Sequence, residues 1–313
     1  MEKIAIMCDS MAEISQEEAE ELGIKVIPMP FMINGEEYLE GVSLDSDTFF
    51  KMLEEDANVS TSQPSIAYVA SIWDELLEEN DTIVYIPMSS GLSKSCESAM
   101  VEAEKNYKDR VFVVDAKRIS STLRQIIYDA MHLRELGYSA REIKDILTEV
   151  RSQSKIYIML DTLYFLKKGG RITPAAAALG GMLKLKPVLM INGEKLDKYK
   201  MRNRSLENGI EIMIDAAKKT IEELKEIDGR VDNIRYEIAY ASRSTESAEK
   251  LEKRMREEFG KDIDILIDRL ALAVACHTGE GAVGLAVTKK LPDKYTKKIC
   301  LEEGKAVNLA AEY

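Results

Sequence analysis

The chain has 313 residues, 45% hydrophobic and 31% charged, a globular composition long enough for two cores, so two domains are expected. Its net charge of −12 argues against a nucleic-acid partner, which needs clustered positive charge, and any anionic ligand must be held by a local site. No segment reaches the 18 or so apolar residues of a membrane span, and Cys8, Cys96, Cys276 and Cys300 lack the spacing of a structural zinc site, leaving small buried hydrophobes as their simplest role.

Residues 3–10, KIAIMCDS, form a short apolar strand with neither the basic start nor the cleavage site of a signal peptide, so a cytoplasmic location is expected. Ser15 and Glu18 have capping-box spacing and open a helix that stops near Gly23. An extended stretch over 24–33 runs into Asn34-Gly35, a hairpin signal. Helices are expected over 45–56 and 66–79, separated by the polar segment NVSTSQPS. A buried strand at 82–88, a helix from about 91 to 106 and a strand at 111–116 continue an alternation that indicates parallel strands with crossover helices. Two helices follow, over 118–136 and 140–153, the second opened by the capping pair Ser139 and Glu142.

From residue 156 the texture changes. A strand at 156–160 leads into a helix-rich stretch, and then KPVLMI and KLDKYKM are joined by Asn192-Gly193, a second hairpin signal. A charged helix over 205–226, a strand at 233–241, a helix at 244–259 and three short strands near 263–268, 270–276 and 282–288 complete the pattern. The fold class is therefore α/β in two domains. Residues 1–155 carry a mostly parallel sheet with flanking helices, and residues 156–313 carry a mixed or antiparallel sheet with helices, ending in a partly helical tail at 291–313.

Ligands of open parallel sheets bind beyond the carboxyl ends of the strands, so Asp9-Ser10, Ser89-Ser90-Gly91 and Asp115 are expected to cluster. In SSGLS, Gly91 lets a ligand approach the backbone, Ser93 offers a hydroxyl in the first helical turn, and the helix N-terminus offers unpaired N–H groups. The alternative is that these serines only cap the helix. Thr61-Ser62-Gln63-Pro64-Ser65 is a second hydroxyl-rich helix start, open to the same two readings. In the second half, Gly169-Gly170 precede Arg171 and the small-residue run TPAAAALGG, and His277 sits in the turn HTGEG between two apolar strands. Arg202 and Arg204 flank Asn203 after a strand and suit an acidic or phosphorylated partner surface, or solvent alone. No GxSxG, Walker or HExxH motif is present; Gly279 to Gly284 matches GxGxxG but leads into a strand where the motif needs a helix.

Taken in order, the strand ending in Asp9-Ser10, TSQPS at 61–65, SSGLS at 89–93, Asp115, DTLYFLKKGGRI at 161–172, LKLKPVL at 183–189, Arg202 and HTGEG at 277–281 resemble the DegV family of bacterial fatty-acid-binding proteins. The resemblance covers residues 3 to 288. It implies a non-catalytic carrier that holds one long-chain fatty acid between two domains, needs no cofactor, and serves lipid transport and phospholipid metabolism. Some members present the acid to a fatty acid kinase, which makes the partners a long-chain fatty acid and a kinase; no integral membrane segment is implied, and transient membrane contact stays open. By matching motif, Thr61, Ser62 and Ser93 would hydrogen-bond the carboxylate beside the Gly91-Leu92 backbone, while Arg171, Arg202, His277 and Thr278 would lie at the opening and face the partner. The chain departs from the family at Lys94-Ser95, at Arg118 and Arg124, and at Glu280. A phosphoryl- or acyl-transfer enzyme acting on a small anion, and a lipid-responsive sensor, are the alternative functions.

Overall fold

The computed structural model describes residues 2–178, 185–201, 203–230, 232–296, 298–302 and 305–309. In chain order the first half carries β1 (Ile4–Asp9), α1 (Gln16–Leu22), β2 (Lys25–Ile27), β3 (Pro30–Ile33), β4 (Glu36–Leu39), α2 (Ser46–Glu54), β5 (Val59–Thr61), α3 (Ile66–Glu79), β6 (Thr82–Ile86), α4 (Ser95–Asn106), β7 (Val111–Val113), α5 (Ser121–Glu135) and α6 (Ala140–Val150). The second carries β8 (Ser154–Met159), α7 (Tyr164–Gly169), α8 (Pro174–Ala177), β9 (Val188–Ile191), β10 (Asp197–Lys200), α9 (Leu206–Lys225), β11 (Ile234–Ala241), α10 (Glu246–Phe259), β12 (Ile265–Arg269), α11 (Leu272–Thr278), β13 (Ala282–Lys289), α12 (Asp293–Thr296), β14 (Lys298–Glu302) and β15 (Lys305–Leu309).

The first half builds a parallel sheet in the order β2-β1-β6-β7. Helices α3 and α4 on one face of this sheet and α5 on the other bury all six residues of β1, which is why it reads as an apolar run up to Asp9. A small antiparallel sheet, β4-β3-β5, stands beside it; its hairpin turns at Asn34 (φ 53°) and Gly35 (φ 89°), left-handed conformations that Asn and Gly adopt most readily. The second half builds a six-stranded mixed sheet, β10-β9-β8-β13-β11-β12, antiparallel throughout except for the β11–β12 pair. Helices α3 and α4 cover one face of the parallel sheet, and α9 and α10 cover one face of the mixed sheet. Between the two sheets lies α5, touching β1 on one side and β11 and β12 on the other. A single apolar core spans this middle layer, from Ile6 and Ile86 to Ile158 and Ala239. Architecture and fold class agree with the α/β expectation in two domains.

Three local expectations are corrected, and the tail is mixed and partly helical as expected. The polar segment before Pro64 contains a strand, β5, whose Thr61 pairs with Phe31. The helix expected from residue 91 begins only at Ser95, because 89–93 is tied down elsewhere: Ser89 Oγ donates to the Gly193 carbonyl and Ser90 Oγ donates to Asp115. The strand expected at 270–276 is the helix α11. Short apolar runs do not declare their period, and here the Glu40 carboxylate accepts the Ala273 N–H at 2.8 Å, capping the helix from 233 residues away. The tail is a short helix followed by an antiparallel β14–β15 hairpin.

Candidate functional site

Residues from both halves of the chain line a cavity of about 370 Å³, within the range of small-molecule sites. Its floor is the inner face of the mixed sheet. Pairing register places Ile158, Gly284 and Ala239 in one row across that floor and Ile156, Ala286 and Glu237 in the next. Glycine and alanine in β13 leave volume there that larger side chains would fill. Met11, Met88 and Ile119 form the opposing wall. The lining is thus apolar over most of its length, and its exposed members, Ser62, Gln63 and Lys94, mark the open end.

Of the sequence-predicted residues, Thr61, Ser62, Leu92, Ser93, Arg171, His277 and Thr278 all line this one cavity, although they come from four separate segments. Thr61 Oγ1 and His277 Nε2 are 2.8 Å apart. Arg171 is held by Nε donating to the Leu92 carbonyl at 3.3 Å and Nη1 donating to the Gly169 carbonyl at 2.5 Å. Ser93 Oγ accepts the Ser95 N–H at 3.2 Å. That contact takes up the first N–H of α4 and leaves the hydroxyl proton free to donate, so the contact does not exclude a ligand role.

Other expectations change. The Gly91-Leu92 backbone is committed: the Gly91 N–H goes to Ser89 Oγ, and the Leu92 and Ser93 N–H groups go to the Ser89 carbonyl. Leu92 therefore serves the cavity through its side chain, and Gly91 is outside the lining. Its requirement is steric, since a Cβ there would meet Glu194 and Gly193 backbone atoms at 2.6 Å. Thr278 is buried, with its hydroxyl donating to the Gly279 carbonyl, and faces the cavity rather than a partner. Arg202 lies outside the described residues. Lys94 points to solvent and pairs with Glu97 at 2.7 Å, an exposed i,i+3 pair worth little. Asp9 and Asp115 do meet the 88–90 loop, but as ties: Asp9 accepts the Met11 and Met88 N–H groups, and Asp115 holds Ser90 and Lys117. Cys8, Cys96 and Cys276 are free and buried.

Burial, with the nearby Arg171 cation adding to it, pushes the His277 imidazole down to about 4, so it is neutral near pH 7. Its Nδ1 is buried without a partner and packs on Gly169, where a Cβ would come within 2.1 Å of it. With its proton on Nε2 the imidazole donates to Thr61 Oγ1 and leaves the Thr61 O–H to donate into the cavity. As a catalytic dyad the pair is poorly suited: no acid orients Nδ1, and a base of pKa about 4 is mismatched to neutral pH. Among the described residues no three His, Cys, Asp or Glu side chains group as metal ligands, and no helix is long and apolar enough to cross a membrane. Sequence reasoning missed one lining residue of note, Glu237, fully buried with its carboxyl pushed up to about 7 by desolvation.

A family profile described as "Uncharacterised protein, DegV family" matches residues 3–290. A DegV domain-containing protein of Staphylococcus aureus strain MRSA252 is 32% identical over 290 residues, covering 93% of this chain and 100% of the relative. Among solved structures, a fatty-acid-binding DegV family protein from Thermus thermophilus superposes with a TM-score of 0.81 at 28% identity, covering 92% of this chain and 100% of that one. DegV from Bacillus subtilis, described as a fatty acid binding protein, gives 0.79 at 25% identity, covering 93% and 100%.

Proposed function

The chain belongs to the DegV family, and on that premise we propose that it binds one long-chain fatty acid in the cavity, carboxylate at the open end and acyl chain along the sheet floor. The observation that carries this reading is the cavity's polarity: mostly apolar walls, with Thr61, Ser62, Ser93 and Arg171 lining it beside the exposed Gln63 and Lys94. Thr61, Ser62 and Ser93 donate to the carboxylate, and Arg171, fixed by two carbonyls, adds positive charge beside it. Neutral donors orient a carboxylate without locking its charge into a tight ion pair. An oxygen held that way keeps its nucleophilicity, which suits presentation to a fatty acid kinase that would phosphorylate it. Affinity comes from the chain, at about 0.8 kcal/mol per buried CH₂ before ordering costs.

The protein acts as a carrier in this reading, with the division near residue 155 separating a half that supplies the carboxylate hydroxyls from a half that covers the chain. The low basicity of His277 and its lack of an orienting acid favour this over a transfer enzyme. Mass spectrometry of an organic extract of purified, undelipidated protein is expected to find one long-chain acid per chain. Absence of a stoichiometric acid, with binding absent on addition of palmitic or oleic acid, would falsify the proposal. Kinase presentation is read separately: the isolated protein leaves its acid unphosphorylated with ATP, and an added fatty acid kinase converts it to the acyl phosphate.

A further inference from the structure

Glu237 has no part in the function proposed above. It lies on β11 facing the cavity, in the same row as Ile156 and Ala286, with 0% of its surface exposed. Its Oε2 accepts a hydrogen bond from Thr288 Oγ1 at 3.2 Å, and Thr288 Oγ1 is 2.9 Å from Ser154 Oγ. Its Oε1 is buried with no partner. Buried carboxyl oxygens are almost always satisfied, and one left facing an apolar chain would be costly. The neighbouring cations, Arg118 and Arg235, act on its charge, but neither hydrogen-bonds Oε1, and Arg118 Nε and Nη1 are themselves buried without a partner; Arg235 also pairs with Asp129 at 2.8 Å. Arg118 and Glu237 form no ion pair among the described residues.

The residue is also remote from the mouth. Helix α11, which carries His277, leads into β13, and β13 runs away from it from Ala282 through Gly284 to Ala286, the partner of Glu237. Four residues of strand at about 3.3 Å each put Ala286 and its partner Glu237 roughly 13 Å from the start of β13. We infer that the preferred ligand is a long-chain fatty acid bearing a hydroxyl on the distal part of its chain, and that Glu237 Oε1 receives this hydroxyl. The inference rests on the fatty-acid reading and adds a specificity determinant to it. The upward shift of the Glu237 carboxyl to about 7 fits this role, because a partly protonated carboxyl both accepts from and donates to an alcohol.

The test titrates delipidated protein with stearic acid and with monohydroxystearic acids whose hydroxyl is moved along the chain, read by displacement of a fluorescent fatty acid. Stearic acid is expected to bind, and hydroxyls within one window of the distal half to bind about tenfold tighter, with positions outside that window weaker than stearic acid. Glu237→Leu abolishes the gain while keeping stearic acid binding, and Glu237→Gln, which retains a hydrogen-bonding head, keeps part of it. Wild-type protein that binds stearic acid at least as tightly as every hydroxy isomer overturns the inference and leaves fatty-acid binding standing. A gain that survives Glu237→Leu also overturns it, since the hydroxyl is then received elsewhere. Failure to bind any acid removes both readings.

Discussion

Ser93 shows how one side chain separates from equals. In SSGLS three serines look alike, yet Ser89 Oγ is spent on the Gly193 carbonyl and Ser90 Oγ on Asp115, leaving Ser93 as the one whose oxygen accepts from Ser95 and whose proton remains to be placed. Ser93→Ala is expected to weaken fatty-acid binding by about 1 to 2 kcal/mol, roughly tenfold, as for one lost bond to a charged group. Loss of the contact to the Ser95 N–H should cost the fold no more than about 1 kcal/mol. Isothermal titration with a long-chain acid, paired with thermal unfolding, separates the two; affinity unchanged in the variant would reduce Ser93 to that contact. The three serines cannot be ranked from the sequence because their other partners lie 25 and 104 residues away.

At the scale of elements, what is legible follows from local rules and what is hidden follows from remote ones. The parallel alternation, the Ser139–Glu142 capping box and the Asn34-Gly35 hairpin are all written in adjacent residues, and the structure contains each of them. Helix α11 is not, since its cap is Glu40 and its alanines suit helix and buried strand alike. Glu237 is hidden for a similar reason: IRYEIAYA alternates as a strand, but only the packing of α10 on one face of β11 and α5 on the other says that both of its faces are covered. Because α11 is a helix, His277 stands on its last turn, half-buried against Gly169 and Thr61, and this placement sets a pH dependence. Its folded pKa of about 4 lies below the ordinary imidazole value of about 6.5. The neutral ring's stabilising contribution is therefore complete above pH 6.5 and is lost as pH falls through about 4. In delipidated protein the unfolding free energy of wild type should fall across that window more steeply than that of His277→Gln, by roughly 1 kcal/mol per pH unit. Parallel curves from urea titrations between pH 7 and 4 would contradict the placement. Asp9 and Glu237, both raised by burial, act with the opposite sign, and comparing wild type with the variant cancels them.

For the whole molecule, the decisive feature is that the cavity lies inside the apolar core shared by the two sheets. A ligand there touches Met11, Met88 and Ile119 from the first half and Ile156, Ala239 and Ala286 from the second, and the unfolded chain offers it nothing comparable. Binding to the native state alone stabilises by RT ln(1 + [L]/Kd), about 2.7 kcal/mol when free acid is a hundredfold above Kd. Buried ties cross the same layer, notably Arg235–Asp129 between β11 and α5 and Arg124 of α5 with Asp268 of β12, so neither half should melt independently of the other. Delipidated protein is expected to unfold in one calorimetric transition, and long-chain acid should move that whole transition upward in proportion to the logarithm of its free concentration. Two transitions of which only one moves with the acid would place the ligand within a single half. A single transition insensitive to the acid would empty the cavity of its proposed occupant.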